Sequence, residues 1–275
     1  MSRLTLTLKA HPDFALDMSA VTPGALSGKR LPQIRALKLQ HGRRRVALGD
    51  WFEIEGDPNP TELLIENAQA SLHRIGSGLT AGGSIEVRGD CGLETGLGMR
   101  GGVLRVSGHA GDGTGLGMRG GLIDIAGDTG DFAGGPAPGD VTGMKNGAIL
   151  VGGNLGARAG ERMRRGLIAA GGNAGAYCGS QMVAGSIVVL GECGEGLGSG
   201  MRRGSIVLAR PSSVPGRNFV LTGDFELAFL PLLVSHLREL KPAWAPRLSK
   251  LGRVSRWVGD AGNGGLGEIL IARRR

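Results

Sequence analysis

Between Ile85 and Leu208 the aliphatic residues come in pairs two positions apart, and the pairs return every 19 residues. Ile85, Leu104, Ile123, Ile149, Ile168, Ile187 and Ile206 form one column; Val87, Val106, Ile125, Val151, Ala170, Val189 and Leu208 form the other. The step from Ile123 to Ile149 is 26, one unit plus seven inserted residues. A spacing of two puts both members on one side of an extended chain, so each unit predicts a short strand with one buried face. Methionine keeps the same beat at Met99, Met118, Met144, Met163, Met182 and Met201. Glycine brackets each strand, at Gly102, Gly121, Gly147, Gly166, Gly185 and Gly204 before it and at Gly108, Gly127, Gly153, Gly172 and Gly191 after it. Such positions read as corners, where positive φ or close backbone approach leaves no room for a side chain.

A 19-residue unit with glycine corners is too short for a propeller blade and has no helix-forming stretch, and the leucine and asparagine spacing of leucine-rich repeats is missing. The pattern predicts an all-β fold: a parallel, right-handed β-helix of about seven 19-residue coils, each stacked on the last. A single coil would bury almost nothing, and the open ends of a stack expose strand edges that need caps. Residues 1–60, with "LTLTLKA" and "QIRALKLQHGRRRVALGDWFEIEG", read as a small β-rich N-terminal cap. Residues 61–210 read as the repeat domain, opening on a degenerate coil at Thr61 to Ile75. Residues 211–275 read as a short helix within Asp224 to Leu240, interrupted at Pro231, and a basic, Trp-containing tail ending in "ARRR".

The residue between the two aliphatic columns faces the other way. It is Glu86, Arg105 and Asp124 in the early units, then Leu150, Ala169, Val188 and Val207. This apolar half is either covered by the chain's own C-terminal helix or is an interface with another subunit. The residue after each methionine is Arg100, Arg119, Lys145, Arg164, Val183 and Arg202, doubled by Arg165 and Arg203. Stacked at the rung spacing, these cations form a ridge that is either a solvated corner or a site for an anionic ligand or acidic neighbour. Asp90, His109, Asp128, Asn154, Asn173 and Glu192 share another column. Its residue types are too mixed for a defined metal geometry and suit hydrogen bonding to the turns. The inserted "DFAGGPAPGDVTG", Asp131 to Gly143, makes the one irregular unit and reads as a contact loop.

Composition sharpens this picture in three places. Glycine supplies 53 of 275 residues without the triplet period of collagen, and ten aromatics (six Phe, three Trp, one Tyr) leave the core to aliphatics. Three cysteines, Cys91, Cys178 and Cys193, are odd in number and lack metal-ligand spacing, which suits free thiols in a reducing compartment. Cys91 and Cys193 occupy one column five rungs apart, on the order of 24 Å at about 4.8 Å per rung, too far for a disulfide. A net charge of +8 points to an anionic partner, but nucleic acid is disfavoured because stacking aromatics do not accompany the charge. No carboxylate pair flanking a cleft, nucleophile elbow or phosphate-loop lysine is present. "MSRLTLTLKAHPDF" lacks the apolar run of a signal peptide and "FELAFLPLLVSHL" is too short to span a bilayer, so the expected location is the cytoplasm.

The units "GMRGGVLRVSGHAG" and "RMRRGLIAAGGNAG" resemble the glycine-rich β-helix shared by the C-terminal domain of glutamate synthase and the C subunit of formylmethanofuran dehydrogenase, over about residues 73 to 210. Outside the repeat, "GDWFEIEGD", "GDFAGGPAPGDVTGMKNG" and "GDFELAFLPLLVSHLREL" are similar to the C subunit, and the Ala/Gly/Arg-rich composition to its counterpart in the bacterial formyltransferase/hydrolase complex of methylotrophs. The resemblance implies a scaffold subunit with no catalytic residue and no cofactor of its own. The implied partners are hydrolase-like A, dehydrogenase-like B and formyltransferase D subunits. The implied chemistry of the whole moves a formyl group between tetrahydromethanopterin-type and methanofuran-type carriers and releases formate. Because methanofuran-type carriers have glutamate-rich tails, the ridge of Arg100, Arg119, Lys145, Arg164, Arg165, Arg202 and Arg203 is a candidate holder of such a tail. Two other classes compete: a stand-alone basic module for an anionic ligand or nucleic acid, and a polysaccharide-active enzyme, which would need an aromatic-lined groove and paired acids.

Overall fold

The computed structural model describes residues 2–210 and 215–273; Pro211, where the repeat is expected to stop, and Arg274 and Arg275 of the expected tail lie outside the described residues. The N-terminal part holds β1 (Arg3–Leu8), β2 (Leu16–Asp17), α1 (Pro23–Leu26), α2 (Leu31–Arg35), β3 (Lys38–His41), β4 (Arg44–Ala47), α3 (Leu48–Trp51), β5 (Phe52–Gly56), β6 (Glu62–Ala68) and β7 (Leu72–His73). The repeat supplies one strand per unit: β8 (Ser84–Gly89), β9 (Arg100–Val106), β10 (Gly120–Ile125), β11 (Ala148–Val151), β12 (Leu167–Ala170), β13 (Ser186–Val189) and β14 (Arg203–Leu208). Then follow β15 (Val220–Glu226), α4 (Phe229–Leu240), α5 (Ala245–Leu248), β16 (Arg253–Gly259) and β17 (Leu266–Ala272). The molecule is mostly β, as the pattern predicts.

Thirteen strands form one sheet in the order β15-β16-β17-β14-β13-β12-β11-β10-β9-β8-β6-β1-β5, and a small sheet, β4-β3-β2-β7, lies beside its N-terminal end. From β1 to β17 all neighbours of the large sheet are parallel, and the antiparallel pairings are those of β5 with β1, β16 with β17 and β15 with β16. The register is that of the repeat: Ile85 pairs with Leu104, Leu104 with Ile123 and Ile123 with Ile149, so the seven inserted residues lie outside the sheet. The aliphatic column extends beyond the repeat at both ends, since Leu63 pairs with Ile85, Leu4 with Leu63 and Ile206 with Ile269, and all ten members are at most 1% exposed.

Consecutive units also bond away from the strands. Cys91, Ala110 and Thr129 are linked by parallel bridges, as are Leu155, Ala174 and Cys193. From Met118 to Met201 the N–H after each repeat methionine donates to the methionine carbonyl one unit back, as in Arg119 to Met99 and Arg164 to Met144. Strand and bridge groups of a rung thus find partners on the rung beside it, while turn groups such as the Met118 and Met163 N–H bond within their own rung.

The "GMRGG" phrase has a packing reason. Met99, Met118, Met144, Met163 and Met182 are fully buried, and the tip of each lies beneath the glycine that opens the next strand. At Gly166 φ is +113°, and a Cβ there would lie 2.8 Å from both the Met144 methyl and the Gly147 carbonyl oxygen. A side chain is thus excluded twice, by backbone conformation and by space.

Two expectations about the C-terminal part are corrected. The helix begins at Phe229, because Asp224–Glu226 belong to β15, and Pro231 sits in its first turn, where a missing N–H costs nothing. The expected tail also contains β16 and β17, and β17 continues the parallel ladder on β14. Asp260 ties this segment down: its carboxylate accepts from the N–H of Gly200 (3.0 Å) and Gly262 (2.9 Å). Burial alone would raise its pKa, but these donors outweigh burial and hold the carboxyl below its ordinary value.

Candidate interaction surfaces

Leu150, Ala169, Val188 and Val207 are each 0% exposed. They pack with Leu230, Val234 and Leu237 of α4 and with Trp244, Leu248, Val254 and Leu270. The chain's own C-terminal segment covers the strip, so these four side chains are not surface for a second subunit. The cover ends where the strip becomes charged: Lys241, just past α4, pairs with Asp124. Beyond it Glu86 is paired with Arg3 and Arg88, and Arg105 is exposed.

The ridge cations come from the corner just before each strand. Arg100, Arg119, Arg164, Arg165, Arg202 and Arg203 are exposed and Lys145 is half-buried. Consecutive backbone bonds place Arg119, Lys145 and Arg164 on adjacent rungs, and Val183 interrupts the row before Arg202. None of the seven forms an ion pair among the described residues. A groove of about 460 Å³ lies alongside, floored by Leu122, Ala148, Leu167 and Ser186 and walled by Leu233, His236 and Leu240 of α4. It puts an apolar trough next to Lys145 and Arg165, whose chain neighbours Asn146 and Gly166 line it.

The mixed polar column serves the backbone. Asp90 Oδ1 accepts the N–H of His109, His109 Nδ1 that of Asp128, Asp128 Oδ1 that of Asn154, Asn154 Oδ1 that of Asn173 and Asn173 Oδ1 that of Glu192, at 2.6–3.0 Å. Each side chain caps the turn one rung on. No group of three or more His, Cys, Asp or Glu among the described residues is placed to hold a metal.

All three cysteines are free and buried. Burial pushes the Cys91 thiol up to about 12, and a hydrogen bond with Cys178, with burial, pushes that of Cys193 up. Protonated thiols out of solvent are poor nucleophiles. The Cys178–Cys193 contact was not visible in the spacing, because the two belong to different columns that meet across a corner.

Sequence reasoning also missed the column Glu94, Gly113, Phe132, Arg158, Tyr177 and Gly196. All six have positive φ, between 56° and 75°. Phe132 (39% exposed) and Tyr177 (40%) lie at the surface with the Arg158 guanidinium between them, 5.9 and 5.3 Å from the ring centres. Beside Phe132 a pocket of about 250 Å³ is lined by Leu93, Glu94, Asp112, Leu116, Pro136 and Pro138. Glycine at two of the six positions was the available signal, since it marks a backbone that the other four side chains tolerate at a cost.

These features define a class: a protein of stacked parallel strands whose mixed polar column bonds its own turns and whose exposed cations stand beside an apolar groove. No protein-family model matches the chain. It is similar to the C subunit of the tungsten-containing formylmethanofuran dehydrogenase 2 of Methanothermobacter wolfeii, 36% identical over 102 residues, covering 36% of this chain and 37% of that protein. It is similar to the C subunit of the formyltransferase/hydrolase complex Fhc of Methylorubrum extorquens, 40% identical over 88 residues, covering 32% of each. These alignments span little more than a third of the relatives' length. The structural match is longer: a chain in the crystal structure of the formyltransferase/hydrolase complex (FhcABCD) from Methylorubrum extorquens with methylofuran superposes with a TM-score of 0.91 and 40% identity, covering 98% of this chain and 100% of that one. The chain belongs to the family of C subunits of formylmethanofuran dehydrogenases and formyltransferase/hydrolase complexes.

Proposed function

We propose that this chain is the scaffold C subunit of a cytoplasmic formyltransferase/hydrolase complex and takes no catalytic part. The observation that carries the reading is the match along 98% of the chain to a component of a complex crystallised with methylofuran. In that role it assembles with hydrolase-like A, dehydrogenase-like B and formyltransferase D subunits. The whole moves formyl groups between tetrahydromethanopterin-type and methanofuran-type carriers and releases formate. Two findings support a structural role: the polar column is occupied by turn hydrogen bonds, and all three cysteines are buried.

The stacked units are coils of a right-handed β-helix, residues 61–210, with an N-terminal cap at 1–60 and a C-terminal helix and tail at 211–275. The parallel register of one unit on the next and the second line of backbone bridges support this winding. The ridge of Arg100, Arg119, Lys145, Arg164, Arg165, Arg202 and Arg203 guides the carrier's anionic tail, and its support is a row of cations without carboxylate partners beside an apolar groove. Affinity purification through a tag on this chain, from cells that express all four components, tests both ideas. Wild type brings down the A, B and D subunits in fixed proportion; a lone monomer with affinity for nucleic acid or glycan would overturn the scaffold reading. The triple charge reversal of Arg119, Arg164 and Arg202 to Glu leaves assembly intact and weakens carrier retention at least tenfold, with the loss deepening at low salt; unchanged retention removes the ridge.

A further inference from the structure

On one corner of the stack the chain keeps side chains that its backbone does not favour. The column from Glu94 to Gly196 has φ between 56° and 75° on every rung, a conformation that glycine takes freely and bulky residues rarely adopt. Gly113 and Gly196 are the relaxed solution, yet the three rungs between them present Phe132, Arg158 and Tyr177. Strain maintained at adjacent positions of a repeat, by residues that face outward, calls for a reason outside the fold. These side chains do little for the interior: both rings stay well exposed, Arg158 is outside with a long 3.6 Å pairing to Glu161, and the core behind them is closed by Ala133, Ala159 and Cys178.

The neighbourhood says what they meet. Leu93 (44% exposed), Leu116 and Phe132 give the 250 Å³ pocket an apolar lining, with Pro136 and Pro138 of the inserted loop as its rim, and Tyr177 adjoins Phe132 across Arg158. Aromatic rings, arginine and an apolar pocket are the composition of interface centres. The charge around the pocket opposes that of the molecule. Asp112 lines it, Asp131 directly precedes Phe132 and Asp140 follows Pro138 by two residues, and none of the three is paired with a cation among the described residues of a chain whose net charge is +8. Glu94, the fourth carboxylate, is neutralised by Arg74 at 2.6 Å.

We infer that the Phe132–Arg158–Tyr177 stack and the pocket beneath the inserted loop are a docking surface for a basic segment of a partner protein in the complex. That segment inserts an apolar side chain between Leu93, Leu116 and Phe132 and sets a lysine or arginine against Asp112 and Asp140. The surface is separate from the basic ridge, which starts at the residue after the methionine, and it rests on the proposal that the chain works inside a multi-subunit complex.

The test measures affinity of the full-length chain for the A–B–D assembly, together with its own thermal unfolding. In one variant Phe132→Gly and Tyr177→Gly restore the residue used at Gly113 and Gly196. In another, Asp112→Asn and Asp140→Lys remove the negative charge, while the introduced amide keeps an acceptor for the Asp131 N–H that Asp112 Oδ1 now holds at 2.8 Å. The expected result is a loss of affinity of at least tenfold in each, with a Tm for the isolated chain that is equal or higher in the glycine variant. Zero-length carbodiimide cross-linking of the wild-type assembly then joins Asp112 or Asp140 to a lysine of a partner. Unchanged affinity in both variants, a Tm that falls in the glycine variant in step with affinity, or a cross-link to a second copy of this chain would overturn the inference. A wild-type chain that fails to bind the assembly at all would instead remove the complex reading on which it rests.

Discussion

At the scale of single residues the repeat is a set of mutual exclusions. The methionine tip of one unit fills the space that a Cβ on the next unit's glycine would need, so the two residue types are coupled across rungs rather than along the chain. Gly166→Ala is therefore expected to destabilise the chain by about 1–3 kcal/mol, the cost of overfilling a packed site, whereas Gly216→Ala, with open space around it and no positive φ, changes stability little. Urea unfolding of the two variants checks this, and equal midpoints would contradict the coupling. Glycine and methionine columns could be read from the sequence because each rung repeats the same geometric demand. The left-handed column at Phe132, Arg158 and Tyr177 could not, because side chains there override the glycine preference and erase the signal that would have marked the turn.

At the scale of elements, α4 decides what the sheet shows to the outside. Leu230, Val234 and Leu237 recur at i, i+4 and i+7 and form the apolar stripe that fits the strip of Leu150, Ala169, Val188 and Val207. Leu237→Ala is expected to cost about 2–5 kcal/mol, as buried leucine truncations do, and to raise amide exchange in α4 ahead of β11 to β13. Slow exchange throughout α4 in that variant would show that the helix does not rely on this contact. The apolar strip and the helix were both legible as patterns, but the sequence could not choose between an internal cover and a contact with another protein. β1 and β17 were harder to place, for a physical reason. A fixed period reports neighbours one unit apart along the chain, whereas β1 meets β6 and β17 meets β14 after excursions of about 60 residues, and pairing at such distance leaves no periodic trace.

At the scale of the molecule, ten parallel strands give a stiff stack with opposite charges on two of its corners. The unpaired ridge cations lie on one, and the carboxylates around the Phe132 pocket lie on the other. A rigid body with two such faces can hold partners in fixed relation without performing chemistry, since its polar columns and thiols are committed to its own structure. The most direct measurement is formyl transfer and formate release by the A, B and D subunits, assayed with and without this chain, and by this chain alone. The expected result is no turnover from the chain by itself and a loss of both assembly and coupled turnover when it is omitted. Turnover by the isolated chain, or full activity of an A–B–D assembly that never contained it, would contradict the scaffold role.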